Sequence, residues 1–244
     1  MSLLVRNRMD DETVQLDLFG EAADLIDDRE TVYSAYEAGN SEVFPKILGL
    51  HVEKGSEIAD VTYGKGVFWK NVPSDLYDTT LTDIDPEKSP DSDGGVDCRD
   101  LPYEDGEFDC VVLDPPYASG FYRDNSDSQL GHDSHESFRD SYTSKHTGSS
   151  SKYHQAVLDV YYQAGQEAKR VLRDGGTFIV KVQDEVSANT QYLTHIEITE
   201  MYTDIGFTSR DLFVVVRQNN PSMTGVDTQV HARKNHSYFM VYDS

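Results

Sequence analysis

Apolar runs and polar breaks divide the chain into an alternating series of short strands and helices. Residues 56–61 (Ser-Glu-Ile-Ala-Asp-Val) read as a first buried strand, and Leu76 to Thr82 as a second. Gly94-Gly95-Val96-Asp97 reads as a short third strand, and Phe108 to Leu113 as a continuous apolar fourth. From Tyr153 to Leu172 the apolar positions fall at helical spacing: Val157, Val160, Tyr161, Ala164, Ala168, Val171 and Leu172. Arg173-Asp174-Gly175-Gly176 ends that helix and turns into a strand over Thr177–Val182. A further helix spans about Asn189 to Asp204 and stops at Gly206, a left-handed cap. Asp211–Arg217 and Ser237–Tyr242 are the last strands, and residues 31–50 carry a weakly helical pattern. A helix is expected through Val67–Asn71. Such alternation predicts an α/β fold: a mostly parallel sheet with helices on both faces and ligands outside the carboxyl ends of the strands.

Two stretches depart from this pattern. Residues 1–42 are expected to be an N-terminal extension to a domain over 43–244. Residues 118–151 are rich in Ser, His, Asp, Gly and Tyr, with little apolar periodicity. A long irregular insertion of that kind is usually functional or disordered, and it follows the carboxyl end of the fourth strand, the side where ligands of such a sheet bind.

Composition narrows the classes. At 244 residues with 37% hydrophobic content the chain can bury one substantial core. No stretch approaches the roughly 20 apolar residues of a membrane helix. The start, Met1-Ser2-Leu3-Leu4-Val5-Arg6, lacks a secretory pattern, so a cytoplasmic location is expected. Two cysteines, Cys98 and Cys110, are too few for a disulfide scaffold or a zinc site. The 44 acidic against 21 basic residues give a formal net charge of −23. Acidity of that size repels a phosphate backbone at low salt. The acids are scattered rather than blocked, and Asp outnumbers Glu by 29 to 15. Either the partner is not nucleic acid, or the chain is adapted to concentrated salt, where charges are screened within a few ångströms. The scatter favours the second and resembles halophilic archaeal proteins.

The chemistry-bearing residues gather at the predicted strand ends. Asp60-Val61-Thr62-Tyr63-Gly64-Lys65-Gly66 is a glycine loop with neither the third glycine of a dinucleotide fingerprint nor the G-K-[ST] of a phosphate loop. Its ligand should therefore lack a pyrophosphate. Asp83, 17 positions after Gly66, ends the second strand, where a carboxylate can accept ribose hydroxyls; Asp85 is the fallback. Asp114-Pro115-Pro116-Tyr117 follows the fourth strand directly. Its prolines fix φ and remove N–H groups, giving a rigid turn that can hold a planar amino group between carboxylate, carbonyl and ring.

Together these motifs resemble the D-P-P-Y methyltransferases that act on exocyclic amino groups of nucleic-acid bases, over about Val43 to Tyr242. The resemblance implies a Rossmann-like class I methyltransferase fold, with a seven-stranded, mostly parallel sheet and an antiparallel last strand. It implies S-adenosylmethionine as cofactor, held by Asp60, Thr62, Tyr63, Gly64, Gly66, Asp83, Asp97, Cys98 and Asp114. Asp97, with Asp100 in reserve, would take the cofactor's adenine amino group, and the Cys98 N–H would meet the ring. Catalysis falls to Asp114, Pro115, Pro116 and Tyr117, with Tyr117 stacking on a base drawn out of the helix. Tyr63 stands where the family commonly has Phe. Arg233–Val241 resembles the family's penultimate strand, with Ser237 where Glu is common.

The implied partner is nucleic acid, DNA before RNA, and the implied target is DNA adenine. The amino groups of DNA cytosine and of guanine in transfer RNA are alternatives, as is a non-catalytic binding module. Ring-carbon methylation is set aside because it needs a cysteine nucleophile, and neither Cys98 nor Cys110 has the context. His132, His135, His146 and His154 do not match a zinc spacing. Arg123, Arg139, Lys145 and Lys152 are candidate phosphate contacts.

Overall fold

The computed structural model describes residues 31–117, 154–218 and 229–244. Ser34–Ser244 forms a compact unit. In chain order its elements are β1 (Ala35–Glu37), helix α1 (Asn40–His51), β2 (Glu57–Asp60), β3 (Asp78–Leu81) and β4 (Phe108–Leu113). Helix α2 (His154–Val171), β5 (Leu172–Val182), the hairpin β6 (Glu185–Ser187) and β7 (Thr190–Tyr192), helix α3 (Thr194–Ile205), β8 (Thr208–Val216) and β9 (His236–Asp243) follow.

Seven of these strands make one sheet in the order β1-β8-β9-β5-β4-β2-β3. The block β3-β2-β4-β5 is parallel throughout, and β9 runs antiparallel between β5 and β8. This is the expected architecture. The central strands are apolar on both faces because helices cover both sides: Cys110, Val111, Val112 and Leu113 on β4 and Phe178, Ile179 and Val180 on β5 are buried. The apolar stripe of α2 is buried at Val157, Val160, Tyr161, Ala164, Ala168 and Val171. Gly206, at φ +105°, closes α3 in the left-handed conformation.

Several local expectations are corrected. Gly94–Asp97 forms no strand; its link to the sheet is a bond from Val96 N–H to Asp83 O, 2.8 Å. The Asp97 carboxylate accepts the Arg99 N–H at 3.0 Å, which turns the chain before a ladder can form. The seventh strand is instead β1, from a stretch whose pattern read as weakly helical; it pairs in parallel with β8. The segment after the glycine loop is only a single 3₁₀ turn, Phe68–Asn71, stopped by Val72 ahead of Pro73. The hairpin β6–β7 occupies the start of the helix expected from Asn189. Positive φ at Ala188 and Asn189 gives the two-residue turn that suits a right-twisted hairpin, so α3 begins only at Thr194. Residues 173–176, read as a turn before the strand, bulge within β5: Leu172 pairs with Phe108 and Thr177 with Cys110.

Candidate active site

Because β2, β3, β4 and β5 are parallel, their carboxyl ends open on one side of the sheet. Asp60, Asp83 and Asp114 all lie there. Asp60 is buried, and its oxygens accept the Thr62 N–H at 3.0 Å and the Trp69 indole N–H at 2.7 Å. Burial pushes its carboxyl up to about 7, against those two hydrogen bonds, with added repulsion from Asp114 and Asp83. The loop that follows needs its glycines. Gly64 and Gly66 have φ of +58° and +61°, and a Cβ at Gly66 would lie 2.4 Å from the Tyr63 hydroxyl oxygen. The Tyr63 ring therefore lies against the loop backbone, and the Gly64 N–H donates to Asp83 Oδ2 at 2.9 Å.

Asp83 is buried too, and its other oxygen accepts the Asp85 N–H at 2.9 Å. Burial raises its carboxyl, opposed by these N–H donors. Asp85 accepts from Glu87 N–H and pairs with Lys88 at 2.7 Å. Beyond β3, the Asp97 carboxylate is gripped by the Arg99 guanidinium, at 2.8 Å from Nε and 2.5 Å from the terminal nitrogen. Cys98 is fully buried. Thus Asp60, Thr62, Tyr63, Gly64, Gly66, Asp83 and Asp114 are joined by direct hydrogen bonds or contact, whereas Asp97 and Cys98 reach that group through Val96.

Asp114 closes the other side. Its N–H donates to Thr62 Oγ1 at 2.6 Å, tying the proline corner to the glycine loop. Its Oδ1 is buried and has no hydrogen-bond partner. Burial lifts the Asp114 carboxyl to about 6, and the nearby Lys181 ammonium pulls it back down. Pro115 is buried, and Tyr117 is half-buried, its hydroxyl accepting from Arg217 at 3.2 Å. Burial and then the Asp114 charge raise that phenol.

Lys181 escaped the sequence reading. It is 1% exposed, and burial lowers its ammonium to about 7, with Asp114 opposing and Arg217 reinforcing. The available signal was a single lysine inside the apolar run Thr177–Val182 at a strand's carboxyl end.

The remaining candidates separate cleanly. His132, His135 and His146, with Arg123, Arg139, Lys145 and Lys152, lie outside the described residues. His154 is buried between Glu185 (2.8 Å) and Glu197 (2.5 Å) and stacks on Tyr192 at 3.9 Å. His236 bonds the Tyr238 hydroxyl at 2.9 Å. Among the described residues there is no group of three or more His, Cys, Asp or Glu placed to hold a metal. No helix of the described residues is long and apolar enough to cross a membrane. Burial raises the Cys110 thiol far above its usual range, which suits a core residue rather than a nucleophile.

Three carboxylates gathered at the strand ends, one with a buried and unpartnered oxygen, favour a cationic or amino-bearing ligand. S-adenosylmethionine carries a sulfonium and an ammonium and so fits this donor set.

The family model for DNA methylase matches residues 108–244. No curated protein matches the chain. Among solved structures, a candidate methyltransferase of Bacillus halodurans is similar at a TM-score of 0.52 and 11% identity, covering 83% of this chain and 98% of that one. A protein of Methanosarcina mazei given as a SAM-dependent methyltransferase has a TM-score of 0.48 and 15% identity, covering 81% and 96%. A candidate DNA modification methylase of Thermus thermophilus, complexed with S-adenosyl-L-methionine, has a TM-score of 0.39 and 20% identity, covering 61% of this chain and 53% of that one.

Proposed function

This chain belongs to the DNA methylase family, and on that footing we propose that it methylates the exocyclic amino group of a nucleic-acid base, foremost adenine in DNA. The observation that carries the reading is the buried, unpartnered Asp114 Oδ1 at a corner pinned to the glycine loop. A polar atom buried without a partner costs stability unless a ligand completes it. Adenine leads because aspartate heads the motif, the form the resemblance ties to that base.

S-adenosylmethionine, when bound, supplies an electrophilic methyl group on a positively charged sulfur. Tyr63, Gly64, Gly66 and Asp83 would hold it, with Asp60 bracing the loop from beneath through Thr62 and Trp69. Asp97 and Cys98 would meet its adenine, provided Arg99 shares the Asp97 carboxylate. The rest is positioning. An exocyclic amino nitrogen is a weak nucleophile because its lone pair is delocalised into the ring. Asp114 Oδ1 accepts one of its N–H bonds and the Pro115 carbonyl the other, which favours a pyramidal nitrogen with its lone pair free. Tyr117, oriented by Arg217, stacks on the base. Fixed acceptors in a dry site need no reorganisation during the reaction and supply the acceleration with no covalent intermediate. Ionised Asp114 is the stronger acceptor, so transfer rises as pH increases through about 6.

A net charge of −23 sets the conditions. In molar salt the screening length is about 3 Å, and repulsion of a polyanionic substrate largely vanishes. The protein works in a salt-rich cytoplasm. The test is incubation with methyl-labelled cofactor and either DNA or transfer RNA in molar salt. Label on the adenine amino group of DNA is the expected result. Label on cytosine or only in RNA replaces the target, and no label with cofactor binding intact overturns the enzymatic reading.

A further inference from the structure

Lys181 is a buried cation that the proposed transfer does not use. The pairing of Val180 with Leu113 brings Lys181 alongside Asp114, at the point where β4 ends and the proline corner begins. Three elements fix it. Its Nζ donates to Asn40 Oδ1 on α1 at 2.9 Å and lies 3.7 Å from the centre of the Phe239 ring on β9. Its own carbonyl accepts the Tyr161 hydroxyl of α2 at 2.7 Å. Asparagine and a ring face are weak compensation for an ammonium 1% exposed. A methionine would fill the same space without that cost. The charge has one anionic neighbour of consequence, Asp114; Arg217, at the end of β8, is a second cation. Asp114 in turn faces Asp60 on β2 and Tyr117 on its own segment, and neither offers it a positive charge.

We infer that Lys181 is a positioning residue acting through Asp114: its ammonium keeps that carboxylate charged in a dry, acid-rich pocket, so that Oδ1 stands ready to accept the target's N–H. The inference rests on the role given to Asp114 above. It explains why a lysine interrupts the apolar run of β5 near the strand's carboxyl end. Without Lys181, burial drives Asp114 towards its protonated form, which can offer a hydrogen but is a poor acceptor. Arg217 stands exposed and engaged with Tyr117, so it does not replace the buried charge.

The test is a site-resolved NMR titration of the Asp114 carboxyl carbon and the Lys181 Nζ in the full chain. In Lys181→Met the Asp114 titration moves up by about one pH unit or more, the shift expected on losing a close opposite charge, while Lys181→Arg leaves it near wild type. The acid limb of kcat against pH moves with it in Lys181→Met and stays in Lys181→Arg. An Asp114 titration unchanged in folded Lys181→Met overturns the inference. Should that variant not fold, the isosteric Asp114→Asn decides: Lys181 then titrates lower than in wild type, and an unchanged Lys181 titration overturns the coupling. Neither titration requires turnover, so failure of methyl transfer in the wild-type chain would remove the functional reading without being mistaken for failure of the coupling.

Discussion

The two ends of the parallel strands differ in how their charges are settled. At the amino end a cavity of about 620 Å³ opens among residues that include His51, Asp109, Arg173, Gly175 and Arg210. It is roomy and polar; its two arginines are paired, while the buried ring nitrogens of His51 lack a hydrogen bond. Arg173 bonds Asp109 at 2.6 Å and also reaches Glu57, and Arg210 bonds Asp243 at 3.0 Å. Burial raises the Asp109 carboxyl, but the Arg173 guanidinium and the Glu57 N–H together outweigh it and lower it. His51 is driven towards neutrality by burial and by Arg210, with Asp211 3.3 Å away. At the carboxyl end, among the described residues, the acids gather without an arginine to match them: Asp60, Asp83 and Asp114 all have carboxyls raised by desolvation, and Asp114 Oδ1 has no hydrogen-bond partner. For the site proposed above, space alone is a poor guide. Charge that the fold buries without neutralising is a better one.

That contrast is open to direct attack, most severely at Asp114. Asp114→Ala is expected to lower kcat for methyl transfer by about 10³-fold, the scale of losing a preorganised polar group. Cofactor affinity, measured by calorimetry, should stay near wild type; a large loss there would reassign the residue to cofactor binding. Tyr117→Ala removes the stacking ring and should cost about 10- to 100-fold in kcat/KM, from roughly 1–3 kcal/mol per stacked base.

Stability should also report the buried acids. The Asp60 carboxyl rises from 3.8 unfolded to about 7 folded. Between those values the unfolded chain has lost a proton that the native chain keeps, so native stability falls as pH climbs from about 4 to about 7. The slope from this one group is at most about 1.4 kcal/mol per pH unit. Denaturant titrations at pH 5 and pH 8 measure it, and Asp60→Asn should flatten the dependence. His154 shows the same sign by another route: burial opposes its charge, but its bonds to Glu185 and Glu197 prevail and raise it. Its stabilising contribution is present below 6.5 and fades as pH rises through the raised value, so His154→Gln should be more damaging at pH 6 than at pH 9. The smallest effect belongs to the amino end. Arg173→Met should leave methyl transfer within about twofold of wild type, and a clear loss would bring that cavity into the function.

Legibility in the sequence followed the range of the interactions. β4 was readable residue for residue, because a fully buried strand is a continuous apolar run. Helix α2 and the Gly206 cap are equally local signals. The glycine loop and the proline corner were visible as strings, and their joint position follows from parallel topology. What escaped depends on partners distant in sequence. β1 is three residues long and exists through its pairing with β8, over 170 residues away. Gly94–Asp97 looked extended until the Asp97 side chain captured the backbone two residues on. The Asp97–Arg99 pair is a local signal, needing only a two-residue spacing. Lys181 was one polar letter in an apolar strand; only the pairing of β5 with β4 reveals that it adjoins Asp114.

The most direct trial is a crystal structure of the chain with S-adenosylhomocysteine. The ligand is expected at the carboxyl end, bordered by Gly64, Asp83 and Asp114, with space for a base between its sulfur and Tyr117. A ligand seated in the amino-end cavity, or a proline corner filled by packed side chains, would contradict that expectation.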